Sequence, residues 1–212
     1  MSTTLAPPAT MTTEQFAEWA NLPENSETLY ELDEGRVVDM PSPGERHGLV
    51  CSWITYLLWT YAVRHGKGRV LSNDTGVILA RKLGIVRGPD VMYLTGTRGI
   101  LEVGIGHVEE VPTVVIEVLS PTDRQTKTVR RVNQYLERGI PQVWVVDPDD
   151  RSMIVYSQNE TPKTLDEIDD LTGDGVLPGF ACKVSDFFAW PTSTTSRSAY
   201  RNSGRIQMAD VS

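Results

Sequence analysis

Residues 113–119 read Thr113-Val114-Val115-Ile116-Glu117-Val118-Leu119, a β-branched and aliphatic run broken by one carboxylate. Such a run lacks the alternation of a half-exposed strand and predicts a central strand covered on both faces. A second run of this kind, Val143-Trp144-Val145-Val146-Asp147, follows a segment with helical character from Thr122 to Arg138. Strand, helix, strand in that order predicts parallel neighbours joined by a right-handed crossover. Downstream, Ser152–Tyr156 reads as an edge strand. Upstream, Arg69–Ser72, Gly76–Ala80 and Asp90–Leu94 are further strand candidates.

Nearer the N-terminus, Glu31 to Met40 contains the turn Asp33-Glu34-Gly35 and reads as a hairpin entering the sheet. Pro41-Ser42-Pro43-Gly44 then breaks the chain before a long helix. In that helix Leu49/Val50, Trp53/Ile54, Leu57/Leu58 and Tyr61/Ala62 recur at helical spacing, with Gly66 as its C-terminal cap. Thr12 with Gln15 three positions on is a capping box before a short helix ending near Asn21. By periodicity Trp53, Trp59 and Trp144 belong to the core. The class is α/β, a mixed central sheet flanked by helices. Residues 1–11 read as a disordered lead, 12–190 as one folded domain and 191–212 as a flexible Ser/Thr/Arg-rich tail.

Composition sets the limits on function. The 212 residues carry a net charge of −8 and are 40% hydrophobic, ordinary values for a globular chain. The acidic balance argues against coating nucleic acid through an overall field, although it leaves room for a local basic site. Cys51 and Cys182 stand far apart, with neither disulfide-framework nor metal-ligand spacing, which suits a reducing compartment. The first ten residues contain no Lys or Arg, so no secretory signal is expected. The longest uncharged apolar run, Leu49 to Val63, spans roughly 22 Å as a helix, short of a bilayer core of about 30 Å. A cytoplasmic protein without membrane association is expected.

Three acids occupy positions that are wasteful for stability. Glu117 lies inside the most apolar strand, Asp90 follows Pro89 at a strand start, and Glu31 opens the hairpin. An ionised carboxylate in such a place costs several kcal/mol unless it is paired or binds a cation. Adjacent strands lie about 4.8 Å apart, so acids on neighbouring strands can converge on one ion. Mg²⁺ needs only one or two carboxylates, since it keeps several waters. That chemistry suits metal-assisted hydrolysis of a phosphodiester.

More specific signals stand in a fixed order. They are Tyr30-Glu31-Leu32-Asp33-Glu34-Gly35, Glu45-Arg46-His47, Gly88-Pro89-Asp90-Val91 and Glu117-Val118-Leu119-Ser120-Pro121. Tyr135, Gly139-Ile140-Pro141, Val143-Trp144-Val145-Val146-Asp147-Pro148 and Leu177-Pro178-Gly179-Phe180 follow. Over residues 12–188 the chain resembles the Uma-two family of bacterial endonucleases, within the PD-(D/E)XK restriction-endonuclease-like superfamily. The resemblance implies a restriction-endonuclease-like core with a divalent metal, Mg²⁺ or Mn²⁺, held by acids at its centre. Asp90 corresponds to the Asp of the family's Pro-Asp motif, Glu117 to the (D/E) of (D/E)XK, and Glu31 to an acid from the N-terminal segment. His47 matches a histidine at the start of the long helix, as an accessory group. The implied partner is DNA, and cutting two strands favours a homodimer.

The superfamily lysine is displaced. Two residues after Glu117 stands Leu119, and the position matching the family's helical lysine is Arg131, with Lys127 one turn earlier. Lys127 is the expected electrostatic or base-like catalytic group, and Arg131 the phosphate clamp, because arginine cannot deprotonate. Both are expected opposite an apolar stripe of Val129, Val132 and Leu136. With Arg124 they belong to a segment, 123–138, of net charge +3. Such a strip suits a polyanionic substrate, and equally a helix that balances charge. Among the remaining groups, Asp74 reads as a turn residue, His65 as a favourable charge in the last helical turn, and His107 has no assigned role.

The leading expectation is a divalent-metal-dependent DNA endonuclease using Glu31, Asp90, Glu117 and Lys127, with Arg124 and Arg131 contacting substrate. A catalytically degenerate module that binds DNA or a protein partner is the alternative, motivated by Leu119 and Arg131. A phosphodiesterase for small nucleotides would differ in having a closed pocket.

Overall fold

A computed structural model describes residues 9–121, 125–173 and 175–189. The expected tail, 191–212, and most of the expected lead lie outside the described residues, as does Arg124. Met11, within that lead, is buried, and its N–H donates to the Gly35 carbonyl at 2.7 Å.

The core is a three-layer sandwich around a six-stranded sheet. In chain order its strands are β3 (Arg69–Ser72), β6 (Val91–Leu94), β7 (Val114–Val118), β8 (Gln142–Asp147), β9 (Ser152–Ser157) and β10 (Lys163–Leu165). They lie in the order β10-β9-β8-β7-β6-β3, and only β7 and β8 are parallel. The expected parallel pair around a crossover helix is present, and that helix, α3, spans Gln125–Glu137. Residues 152–157 do not form an edge, because β10 pairs outside them.

Alternation on the central strands sorts two cores. Val114, Ile116 and Val118 of β7, with Trp144 and Val146 of β8, face the long helix α2 (Glu45–His65) and the C-terminal aromatics Phe180 and Phe187. Val115, Val143 and Val145 face the other way, against Val132, Tyr135 and Ile140. The parity of β7 therefore sends Glu117 to the α3 side.

α2 ends as expected, with Gly66 in the left-handed region at φ +61°. Trp144 is fully buried, but Trp59 is 52% exposed and Trp53 half-buried, so the helical stripe is narrower than its periodicity suggests. The capping box between Thr12 and Gln15 holds α1 (Thr13–Ala20).

The hairpin does not join the large sheet. β1 (Tyr30–Asp33) and β2 (Arg36–Asp39) belong to a separate antiparallel sheet, ordered β2-β1-β5-β4, with β4 (Val77–Ala80) and β5 (Ile85–Arg87). Phe16, Trp19, Leu32, Ile78 and Val86 pack beneath it. A small third pair, β11 (Asp170–Thr172) and β12 (Ala181–Lys183), lies near the C-terminus.

Candidate functional site

The register of β6 against β7 pairs Val91 with Ile116, so one further step sets Asp90 beside Glu117. Asp90 is fixed there because its Oδ2 accepts the Val118 N–H at 2.6 Å. The preceding Gly88 allows a close approach: a Cβ at that position would sit 2.7 Å from the Asp74 carbonyl oxygen. Asn73 and Asp74, at φ +62° and +52°, make the tight turn that brings this loop in. Burial, reinforced by the charge of Asp90, raises the pKa of Asp74. Asp74 thus has the expected turn conformation and also borders the acids.

The second sheet delivers Glu31. Its carboxylate accepts from Arg87 Nη1 at 2.8 Å, from the Gly88 N–H at 2.9 Å, and from Arg131 Nη2. Arg87 also pairs with Asp33 at 2.7 Å and donates to Gln134 Oε1 at 2.9 Å.

Helix α3 closes the arrangement. Arg131 reaches Glu31 with one nitrogen and approaches Glu117 Oε2 at 3.4 Å with another. The Tyr135 hydroxyl, one turn on, donates to Glu117 Oε1 at 2.5 Å. Burial is the main reason that Glu117 is pushed up to about 7; Arg131 opposes the rise and Asp90 adds to it. Burial works against the charge of Arg131, but the surrounding acids outweigh it and raise its pKa well above the ordinary value.

From the opposite layer, α2 presents His47, whose Nε2 lies 3.1 Å from Asp90 Oδ1. That contact raises the histidine pKa despite burial. Cys51, one turn later, places its Sγ 3.5 Å from His47 Nδ1.

Five of the residues singled out from sequence therefore come together: Glu31, Asp90, Glu117, Arg131 and His47. Lys127 is exposed on the first turn of α3, and no ion pair involves it among the described residues. The phase of α3 also differs from expectation. Val129 is 40% exposed, while Val132, Gln134 and Tyr135 are the buried positions. Arg131 thus faces inward, with a side chain only 20% exposed. Sequence reasoning missed Arg87 and Gln134, and it quoted Tyr135 as a family signal without its bond to Glu117. It also overlooked that His47 and Cys51, spaced i and i+4, share one helical face.

The residues fit a divalent cation. Asp90 and Glu117 offer oxygen donors side by side, and Asp74 adds negative charge nearby. Burial foremost, with excess negative charge from Asp90 adding to it, raises the pKa of both Glu117 and Asp74. A hard dication would relieve that excess.

Solved structures share the fold. The crystal structure of "a putative nuclease belonging to DUF820" from Anabaena variabilis aligns with a TM-score of 0.71 over 84% of this chain and 97% of that one. The two are 20% identical in sequence, so the likeness is one of fold. No match is found among curated proteins. A family model covers residues 13–185, and on that match the chain belongs to the Uma2 family, described as "Putative restriction endonuclease".

Proposed function

We propose that this protein is a divalent-metal-dependent endonuclease that hydrolyses DNA phosphodiester bonds. The observation that carries the reading is the adjacency of Asp90 and Glu117 at strand ends, with Glu117 pushed up to about 7 by burial. Asp90 and Glu117 would hold Mg²⁺ or Mn²⁺, which when bound polarises the phosphate and lowers the pKa of a water.

The remaining roles belong to the chain's own groups. Tyr135 fixes the rotamer of Glu117 by donating to one oxygen, while the other lies 3.4 Å from Arg131 Nη1. Glu31 anchors Arg131, whose planar guanidinium suits phosphate as well as carboxylate. Lys127, exposed one turn earlier, supplies a mobile ammonium for a substrate phosphate or the charge developing on it. Arg124, three residues before Lys127 in the sequence, would be a further substrate contact. His47 holds the outer oxygen of Asp90. DNA is the substrate class, a homodimer in the cytoplasm would present one site to each strand, and no membrane is involved.

Plasmid nicking in Mg²⁺ or Mn²⁺, with Glu117→Gln beside the unaltered chain, tests this reading. Cleavage that disappears in the variant supports it. One observation favours a second reading, a non-catalytic module: Arg131 already bridges Glu31 and Glu117, and Leu119 replaces the superfamily lysine. Equal inertness of both proteins across metals and DNA forms, with no metal-induced rise in melting temperature, would establish the module instead.

A further inference from the structure

Helix α2 brings a softer set of ligands to the same acid. His47 and Cys51 project from one helical face, and with Asp90 they place one ligand atom each within 4.8 Å of one another. His47 Nε2 lies 3.1 Å from Asp90 Oδ1 and 4.0 Å from Cys51 Sγ. An ion bound about 2.0 Å from nitrogen and oxygen and about 2.3 Å from sulfur spans up to roughly 4.0 Å between N and O and 4.3 Å between N and S. Both separations from Nε2 fall within that reach, but Sγ lies closer to Nδ1, at 3.5 Å, so shared coordination through Nε2 requires the Cys51 side chain to swing toward Asp90. We propose that His47, Cys51 and Asp90 form a second metal site, for a thiophilic divalent ion of the Zn²⁺ class, sharing Asp90 with the carboxylate pair.

The mixture of thiolate, imidazole and carboxylate selects such an ion over Mg²⁺, which takes oxygen donors. Three protein ligands would leave a fourth tetrahedral position for a water or a substrate atom. On binding, the S–metal and N–metal bonds form as the Cys51 thiol proton and the proton that His47 Nε2 shares with Asp90 pass to solvent, and no oxidation state changes.

The same three side chains resemble a nucleophilic cysteine with its histidine, but the electrostatics oppose that role. Burial, then the charges of Asp90, Asp74 and Glu117, drive the Cys51 thiol far above its ordinary pKa. A reactive cysteine needs a stabilised thiolate, and these surroundings destabilise one. The acids that disfavour a bare thiolate favour a dication, and the dication in turn favours the thiolate. Occupancy would withdraw Asp90 from the hard-metal pair and silence hydrolysis; only this consequence rests on the proposed nuclease function.

Co²⁺ titration of the full chain tests the site without nucleic acid. Expected is a saturable 1:1 thiolate-to-cobalt charge-transfer band with tetrahedral d–d absorption, both displaced by Zn²⁺. The thiolate band should vanish in Cys51→Ser and persist in Cys182→Ser, whose thiol lies elsewhere. His47→Gln, a second variant in case Cys51→Ser misfolds, should keep a thiolate band but weaken Co²⁺ affinity at least about tenfold. A chain without the band, or a band that survives Cys51→Ser, overturns the site. Nicking in Mg²⁺ reads the nuclease function separately. An inert protein with the band overturns that function alone, and an active protein without the band overturns this site alone.

Discussion

Glu31 and Glu117 are both buried, and both reach Arg131, yet they are buried on opposite terms. Glu31, in the smaller sheet, receives two guanidinium groups and a backbone N–H. Glu117, in the larger sheet, has a neutral phenol at 2.5 Å and the edge of one guanidinium at 3.4 Å, with Asp90 beside it. Burial lifts Glu117 to about 7. A carboxylate saturated with donors anchors its neighbours; one left short of positive charge is poised for a cation. On the proposed function, the difference separates an acid that anchors the arginines from one that would hold the metal.

Glu117→Gln is the severest test of that division. Its metal-supported nicking should fall by roughly 10³-fold, the several kcal/mol that a bound ion contributes to the transition state. In chelator its melting temperature should hold or rise, because a poorly compensated buried charge has gone. Glu31→Gln should do the reverse to stability. Arg87 and Arg131 would lose a shared acceptor, at a cost of about 3–5 kcal/mol measured by denaturant unfolding. A Glu31→Gln protein as stable as the parent would break the comparison.

The pH dependence of stability sharpens it further. The pKa of Glu117 is about 7 in the folded chain against an ordinary 4.5. Between those values the native state binds more protons than the unfolded state, so metal-free stability falls as pH rises from about 4.5 to 7. Saturating Mg²⁺ or Mn²⁺ should flatten the decline, and so should Glu117→Gln. Asp33, on the Glu31 side, titrates in the opposite sense. Burial pushes it up, but the Gln134 hydrogen bond and the charges of Arg87 and Arg130 outweigh that and lower its pKa below 3.8. Its stabilisation is present above pH 3.8 and is lost on further acidification. Thermal unfolding across pH, with chelator and with metal, reads both slopes.

The sequence makes the Glu117 side legible more readily than the Glu31 side. A carboxylate inside Val114–Val118 is conspicuous because every other residue of that strand is apolar, and Pro89-Asp90 marks the neighbouring strand start. The hairpin at Asp33-Glu34-Gly35 is equally plain, but not which sheet it enters. That depends on β5, three residues whose single bridge to β1 is Leu32 with Val86. The phase of α3 is hidden for another reason. Apolar periodicity places Val129 inside and Arg131 outside, whereas Glu31 and Glu117, distant in sequence, draw Arg131 inward, with Gln134 and Tyr135 bonded beside it to Arg87, Asp33 and Glu117. Burial driven by ion pairing leaves no hydrophobic period to find. Cys51 is obscured by its apolar neighbours, although its spacing from His47 is readable.

The gentlest prediction concerns Lys127, which lies one turn from Arg131 yet outside the buried network. Arg131 cannot be removed cleanly, because its loss would strip a counter-charge from both glutamates and confuse folding with function. Lys127 has no ion pair among the described residues, so Lys127→Ala should alter stability by no more than about 0.5 kcal/mol. If its ammonium meets a backbone phosphate, DNA affinity should fall evenly across sequences, and the slope of log K against log salt should shrink by about 1. Fluorescence anisotropy with a labelled duplex at several salt concentrations measures that slope. An unchanged slope, together with undiminished cleavage, would leave Lys127 as solvated charge and concentrate phosphate recognition on Arg131. The functional cation would then be the one that Glu31 holds in place, and the saturated acid would matter to chemistry through the arginine it anchors.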